Sequence, residues 1–316
     1  MITNSLISVI VLCYNSEDFI IETLESIKNQ SYKNLELIIA DDNSKDKSIA
    51  VCNEWIGNNA ERFASTNIIT VLQNTGIPAN CNRGVKAANG EFIKLIAGDD
   101  LLTPDCISAN MAFISSNPDA HIVVSEMDAF LDGTAPKKIL ERKKPFGDVF
   151  QAHHSAKDQL RFLVQTSYFG NAPALFYKKA VFNKIEFDES IPLLEDYPFA
   201  VIATTAGLKY EYLPEVTVLY RVREDSAYFK NNTQIFGKFY KTKLDFDRKY
   251  RHAHLDFINL KNEIFYNHVL SYFDRNGFNK NKPLNRFFYK MAHLTNPFRY
   301  LSFLKRKASS LSKKKI

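Results

Sequence analysis

Apolar positions in the first hundred residues change period in a regular way. Residues 6–13 (LISVIVLC) form a continuous apolar, β-branched run, the pattern of a strand buried on both faces. Ser16 suits a helix N-cap, and Ile20, Ile21, Leu24 and Ile27 then recur along one helical stripe. Residues 35–40 (LELIIA) predict a second strand, which ends abruptly at Asp41-Asp42-Asn43-Ser44. A helix over 47–55, a strand at 68–72, a helix over 81–88 and a strand at 91–97 continue the alternation. This βαβα rhythm predicts an α/β domain with a mostly parallel sheet covered by helices.

Between 121 and 220 the pattern is mixed. Strands are expected at 121–125 and 174–177, and helices at 156–165 and 194–207, the latter starting at Glu195-Asp196 with Pro198 tolerated in its first turn. Residues 210–213 and 216–220 read as short strands flanking Pro214, and 137–145 (KKILERKKP) as a mobile surface loop. After Asp225 come amphipathic helices to about Phe273, a turn at Asn276-Gly277, more helix and a Ser/Lys-rich end, with no internal repeat.

Charge sharpens that division. The chain has 316 residues with 41 Lys+Arg and 35 Asp+Glu, a net of +6. Residues 1–225 carry a net of −9, whereas 226–316 carry +15 and 19 of the 41 aromatic residues. Two parts with different partners are expected: a domain over 1–225 and a basic, aromatic-rich helical region over 226–316. A hydrophobic fraction of 45% with 24% charged residues excludes wholesale disorder, collagen-like repeats and a bare disulfide scaffold.

Cys13, Cys52, Cys81 and Cys106 form no CxxC and have no His at zinc-finger spacing, so they read as free thiols in a reducing cytosol. The first apolar run lacks a basic leader, and no run reaches the roughly 18 apolar residues of a spanning helix. A cytoplasmic protein, peripheral on the cytoplasmic face of a membrane, is the expectation.

Polar clusters fall at three strand ends: Tyr14-Asn15, Asp41-Asp42 and Asp99-Asp100. In open α/β sheets the ligand sits outside those ends, so three distant segments converge on one site. Asp99-Asp100 reads either as a polar turn or as a pair in which one acid holds a hard divalent cation and the other a sugar hydroxyl. Asp41-Asp42-Asn43-Ser44 is equally good turn chemistry or the acceptor for a pyrimidine imide N–H, with Tyr14 stacking on the base or simply packed. Glu195-Asp196 favours the dipole of the helix that it starts, and a carboxylate there can also deprotonate an acceptor hydroxyl.

Together these pieces resemble a family 2 glycosyltransferase of the GT-A fold. The resemblance rests on ISVIVLCYNSEDFIIETLESIKNQSYKNLELIIADDNSKDKS at 7–48, NTGIPANCNRGVKAANGEFIKLIAGDD at 74–100, LLEDYPFAV at 193–201 and LYRVREDS at 219–226. It implies a GT-A (Rossmann-like) sheet and transfer of a sugar, with inversion, from a nucleotide-diphosphate sugar, UDP- or dTDP-linked. The acceptor would be a saccharide or lipid-linked saccharide hydroxyl in cell-surface polysaccharide assembly. The matched positions imply Asp42 for the base, Tyr14 for stacking, Asp99 for the ribose and Asp100 for Mn²⁺ or Mg²⁺. They also imply Asp196 as catalytic base with Glu195 beside it, and Arg83, within Asn82-Arg83-Gly84, near the diphosphate. Three departures stand out. Ala97-Gly98 replaces the family's usual Asp-Ser before the two acids, Arg223 stands where many relatives carry a His, and neither QxxRW nor spanning helices appear. An Arg cannot ligate a metal but can pair with phosphate, so Arg223 reads as a diphosphate contact or as a solvent-facing charge. The missing QxxRW argues against processive polysaccharide synthases.

The basic, aromatic segment 226–316 suits an anionic membrane surface or packing against the catalytic domain. Nucleic acid is not an expected partner, since no recognised module is present and the −9 region repels phosphate. The competing readings of the whole chain are a sugar-nucleotide pyrophosphorylase, which needs a Gly-rich basic loop where Cys13-Tyr14-Asn15-Ser16 stands, and an inactive membrane-docked scaffold.

Overall fold

The computed structural model describes residues 4–145, 148–150, 154–166, 172–223, 234–237 and 239–304. The chain divides into two compact units, Met1–Arg223 and Glu224–Ile316, and position 225 lies in a stretch outside the described residues.

The first unit opens with β1 (Ile7–Cys13), α1 (Ile20–Lys28), β2 (Leu35–Asp41), α2 (Ser48–Asn59), β3 (Ser65–Ile69), α3 (Ile77–Ala87) and β4 (Phe92–Ala97). It continues through β5 (Leu101–Leu102), α4 (Cys106–Ser116), β6 (Ile122–Leu131), β7 (Lys138–Lys143), α5 (Ala156–Thr166), β8 (Leu175–Lys178), α6 (Asp196–Thr205) and β9 (Tyr210–Val222). Among the described residues one sheet holds these nine strands in the order β3-β2-β1-β4-β8-β6-β9-β5, with β7 paired to β6.

β1 lies between β2 and β4, parallel to both, which is why its apolar run tolerates no water on either face. Ile20, Leu24 and Ile27 of α1 are buried beneath it, whereas Ile21 turns outward. α3 lies close against β1: a Cβ on Gly84 would meet Ile10 Cγ2 at 2.4 Å, so only glycine permits the approach. All four cysteines are free and buried.

Two sequence expectations are corrected. Residues 137–145 are not a loop, because β7 pairs antiparallel with β6. Its strand signal is weak because an edge strand exposes both faces, and Lys and Glu there discourage further pairing. Arg142 fixes it by a bidentate pair with Asp128 at 2.8 and 3.1 Å. Second, the two short strands around Pro214 are one strand. Leu213 pairs with Ser125 and Val216 with Glu126, so Pro214-Glu215 is a bulge, where a missing N–H is harmless.

The second unit contains α7 (Tyr240–Phe246), α8 (Phe257–Arg275), α9 (Pro283–Leu294) and a further helical stretch over 297–304. Asp256 caps α8, accepting from the Ile258 and Asn259 N–H groups at 3.1 and 3.2 Å. Gly277, with φ 68°, makes the expected turn after it. Among the described residues, no helix is long and apolar enough to cross a membrane.

Candidate active site

The carboxyl ends of β1, β2 and β4 lie side by side, and the polar residues that follow them are laced together. Asp41 forms the turn after β2, accepting from the Asn43 and Ser44 N–H groups at 3.0 and 3.1 Å. Asn15 and Asn43 take left-handed backbone with φ of 49° and 67°, which Asn tolerates. Ser44 Oγ accepts the Asn15 N–H at 2.9 Å, and Asn15 Oδ1 accepts the Lys45 N–H at 2.8 Å. Ser48 Oγ accepts from Ser16 N at 2.7 Å, and Asp46 accepts from Glu17 N at 3.0 Å. Much of the polar run 41–48 thus holds the loop after β1. Tyr14, on that loop, is 49% exposed.

Asp42 is the most heavily bonded acid of the site and only 3% exposed. Its oxygens accept five contacts: Thr75 N at 3.0 Å to each oxygen, Thr75 Oγ1 at 2.7 Å, Gly76 N at 2.8 Å and Arg83 Nη2 at 2.7 Å. Burial pushes its pKa up, but the donors from Thr75, Arg83 and Gly76 more than offset this and hold it below the ordinary carboxylate value. Arg83 therefore sits on Asp42 itself, with its Nη1 also on Thr75 Oγ1 at 2.7 Å. Asn82 has a different task, holding Phe187 and Glu189 through its side-chain amide.

The same loop reaches the third acid pair. Gly76, at φ 92°, presses on Pro192, whose carbonyl oxygen would stand 2.7 Å from an added Cβ. Ile77 N donates to that carbonyl at 3.0 Å. Three residues later Glu195 and Asp196 begin α6, both half-buried. Burial raises the pKa of Glu195; burial and then the Glu195 charge push Asp196 well above its ordinary value. The Tyr197 N–H, at 2.7 Å from Asp196 Oδ1, and the backbone N–H of Asp196 oppose that rise.

Asp99 and Asp100 stand between β4 and β5. Asp100 is buried, and its Oδ1 accepts the Arg221 N–H at 2.9 Å. Burial, then the charge of Asp99, push its pKa well up; burial also raises Asp99, opposed by Arg223 and Arg221. Arg223 Nη1 lies 3.7 Å from Asp99 Oδ2, with its guanidinium over the Phe19 ring.

Arg221 is the functional candidate that the sequence reading passed over. Only 4% exposed, it donates Nε to the Asp99 carbonyl at 2.7 Å, pairs with Asp132, and lies between the Phe19 and Phe130 rings at 5.0 and 4.9 Å. A visible signal was its i, i+2 relation to Arg223, the spacing of one face of an extended chain.

Asp99 and Asp100 offer oxygen ligands only, and both carboxyls are destabilised as anions, a setting that a hard divalent cation relieves. Among the described residues no cluster of three His, Cys, Asp or Glu side chains could hold a metal. These two acids fit Mg²⁺ or Mn²⁺ only where phosphate and water complete the shell.

The chain is similar to the minor teichoic acid biosynthesis protein GgaB of Bacillus subtilis, at 28% identity over 222 residues. That match takes in 70% of this chain but 23% of GgaB, so the chain spans about a quarter of that relative's length. It is also 28% identical to the amylovoran biosynthesis glycosyltransferase AmsB of Erwinia amylovora, over 68% of this chain and 69% of that one. Among solved structures, S. aureus TarS 1-349 in complex with UDP-GlcNAc superposes with a TM-score of 0.58 at 19% identity, covering 90% of this chain and 79% of that one. The mixed sheet with its covering helices and C-terminal helical extension is thus the GT-A fold. Glycosyl transferase family 2 matches residues 8–185, more than half of the chain, and the chain belongs to that family.

Proposed function

We propose that this glycosyltransferase moves a hexose, with inversion, from a UDP- or dTDP-linked sugar to a hydroxyl of a saccharide or lipid-linked saccharide, in the assembly of a cell-surface polysaccharide. The observation that carries the proposal is the continuous link from Asp42 through Thr75-Gly76 and Pro192 to Glu195-Asp196. It ties a nucleotide-side acid to an acid of raised pKa at the start of a helix. The names of GgaB and AmsB support a surface polymer as product, and the UDP and UDP-GlcNAc complexes of TarS support a uridine donor.

In this reading Tyr14 offers its exposed ring to the base. Asp42, held ionised, accepts the imide N–H when Arg83 gives up its place on Oδ1 and turns to the diphosphate. Asp99 faces the ribose and Arg223 the diphosphate, and Asp100 holds Mn²⁺ or Mg²⁺ with Arg221 fixing both acids. Bound there, the cation supplies positive charge against the departing diphosphate. Asp196, made a stronger base in its ionised form by burial and the Glu195 charge, takes the acceptor proton while the acceptor oxygen bonds to the anomeric carbon and the bond to the diphosphate breaks. Glu195 tunes its neighbour. The test is a thermal-shift screen of nucleotide sugars with Mn²⁺, followed by NMR of the product made from the stabilising donor. A product that retains the donor's anomeric configuration would refute the single displacement.

A further inference from the structure

In the second unit Leu244, Phe246, Leu270 and Phe273 are buried, but α9 turns its apolar side outward. Along α8, Asn259, Asn262 and Tyr266 stand at helical spacing and form a polar seam. Ser302 donates to Asn259 Oδ1 at 2.6 Å, Asn296 donates to Asn262 Oδ1 at 2.8 Å, and the Tyr289 and Tyr266 hydroxyls meet at 3.2 Å. Tyr289 and His293 form the inward side of α9, against Tyr266. The opposite side carries Leu284, Phe287, Phe288, Met291 and Leu294, at the spacing of one helical stripe, each 40–63% exposed. Tyr300, Leu301, Phe303 and Leu304 continue the apolar surface. A helix paired through hydroxyls and amides, with Leu and Phe turned outward, reverses the order that burial of apolar surface dictates in water.

Charge says what covers this face. Residues 275–316 contain 12 Lys+Arg and no Asp or Glu. Lys282, Arg286 and Lys290 lie along α9 and its N-terminal edge, and Arg299 follows. A second copy docked face to face through the same surface would bring like charge against like charge. An anionic lipid surface receives the aromatic stripe at headgroup depth and neutralises the flanking cations.

The geometry points to α9 and 297–304 as a monotopic docking face for an anionic bilayer, with Phe287 and Phe288 inserted. This is independent of the catalytic reading and says where the enzyme works: at a membrane surface, on an acceptor presented there. The test is co-sedimentation of the full chain with vesicles of phosphatidylcholine alone and of phosphatidylcholine containing phosphatidylglycerol. Binding is expected only with the anionic lipid, and raised salt should weaken it by about tenfold or more. The double variant Phe287→Ser/Phe288→Ser should lose about tenfold or more in binding, with its circular dichroism unchanged. The variant Phe288→Trp should shift its emission to the blue on anionic vesicles and be quenched by brominated lipid. Three results would each overturn the proposal: undiminished binding of the double variant, equal binding to neutral vesicles, or emission from the introduced indole that ignores lipid. So would sedimentation showing a dimer that buries the stripe and binds no vesicle.

Discussion

Replacing Asp42 by Asn probes how the site is assembled. The carboxylate accepts five contacts, from Thr75, Gly76 and Arg83, while only 3% of the residue is exposed. Asn keeps one acceptor oxygen and turns the other into a donor. If the amide nitrogen takes the Oδ2 place, it faces the Gly76 N–H; if it takes Oδ1, it faces Thr75 Oγ1 and Arg83. Either way a buried donor loses its acceptor, at about 1–3 kcal/mol, and the remaining bonds lose their charge assistance. Arg83 is itself largely covered, so its pair with Asp42 is screened less than a surface pair. The expected loss is about 2–4 kcal/mol, a large share of the roughly 5–15 kcal/mol that holds a domain together. The chain's single tryptophan, Trp55, is buried in the first unit with its indole N–H on Glu25 at 2.7 Å, so its fluorescence in urea reports that unit's unfolding. The pH dependence is a second check. The folded pKa of Asp42 lies below its unfolded value of about 3.9, so its contribution is complete above that value and lost as pH falls through the folded one. The gap between wild type and variant should be flat from neutral pH down to about 4 and close only below it. A difference under about 0.5 kcal/mol at neutral pH, or a gap that closes well above about pH 4, would refute the account of Asp42 as the organiser of this loop.

Other outcomes follow from the same geometry. Asp196→Asn should keep donor binding by calorimetry while turnover falls by about 10²–10⁴, the usual contribution of a general base. In the wild type, turnover should drop as pH falls through the raised pKa of Asp196, since protonation removes the base; an acid limb retained in Asp196→Asn would contradict this. Mn²⁺ with nucleotide should raise the melting temperature more at neutral than at acid pH, because protons compete for the raised carboxyl of Asp100, and Asp100→Ala should abolish the shift. Arg221→Met should lower stability by about 1–3 kcal/mol, through loss of the Asp99 carbonyl bond and the contacts with Phe19 and Phe130. It should also weaken metal-dependent nucleotide binding, which calorimetry would show. Gly84→Ala places a Cβ 2.4 Å from Ile10 Cγ2 and should cost about 1–3 kcal/mol by the same urea assay.

The parallel half of the sheet was legible because burial on both faces leaves an unmistakable apolar run at β1, β2 and β4. β7 was not, since its residues belong to an edge where both faces meet water and neither period appears. Pro214 misled for a local reason: it interrupts the apolar pattern, yet a bulge absorbs it without ending the strand. In the site, the acids announced themselves by following strands, but the support for them did not. Nothing in the order of residues shows that Gly76 bears on Pro192 and so ties Asp42 to Asp196 across the fold. Arg221 was overlooked for a related reason. A strand arginine normally faces solvent, and only the folded chain shows two rings and three acidic residues around it.

What most separates the acids is their donor supply. Asp42, Asp100 and Asp196 are the same residue, and each follows a strand or opens a helix. Asp42 has donors from three residues and stays ionised in spite of burial. Asp100 has one N–H and a like-charged neighbour, so it is a poor anion, a condition that the proposed cation would relieve. Asp196 has the Tyr197 N–H and its own backbone N–H beside a like-charged neighbour, but among the described residues no arginine pairs with it to offset burial. A carboxylate left in that condition gains most by taking a proton, which is what attack by an acceptor hydroxyl delivers. The proposed division of labour between nucleotide recognition, cation binding and base catalysis thus rests on how many N–H groups and arginines the fold brings to three identical side chains.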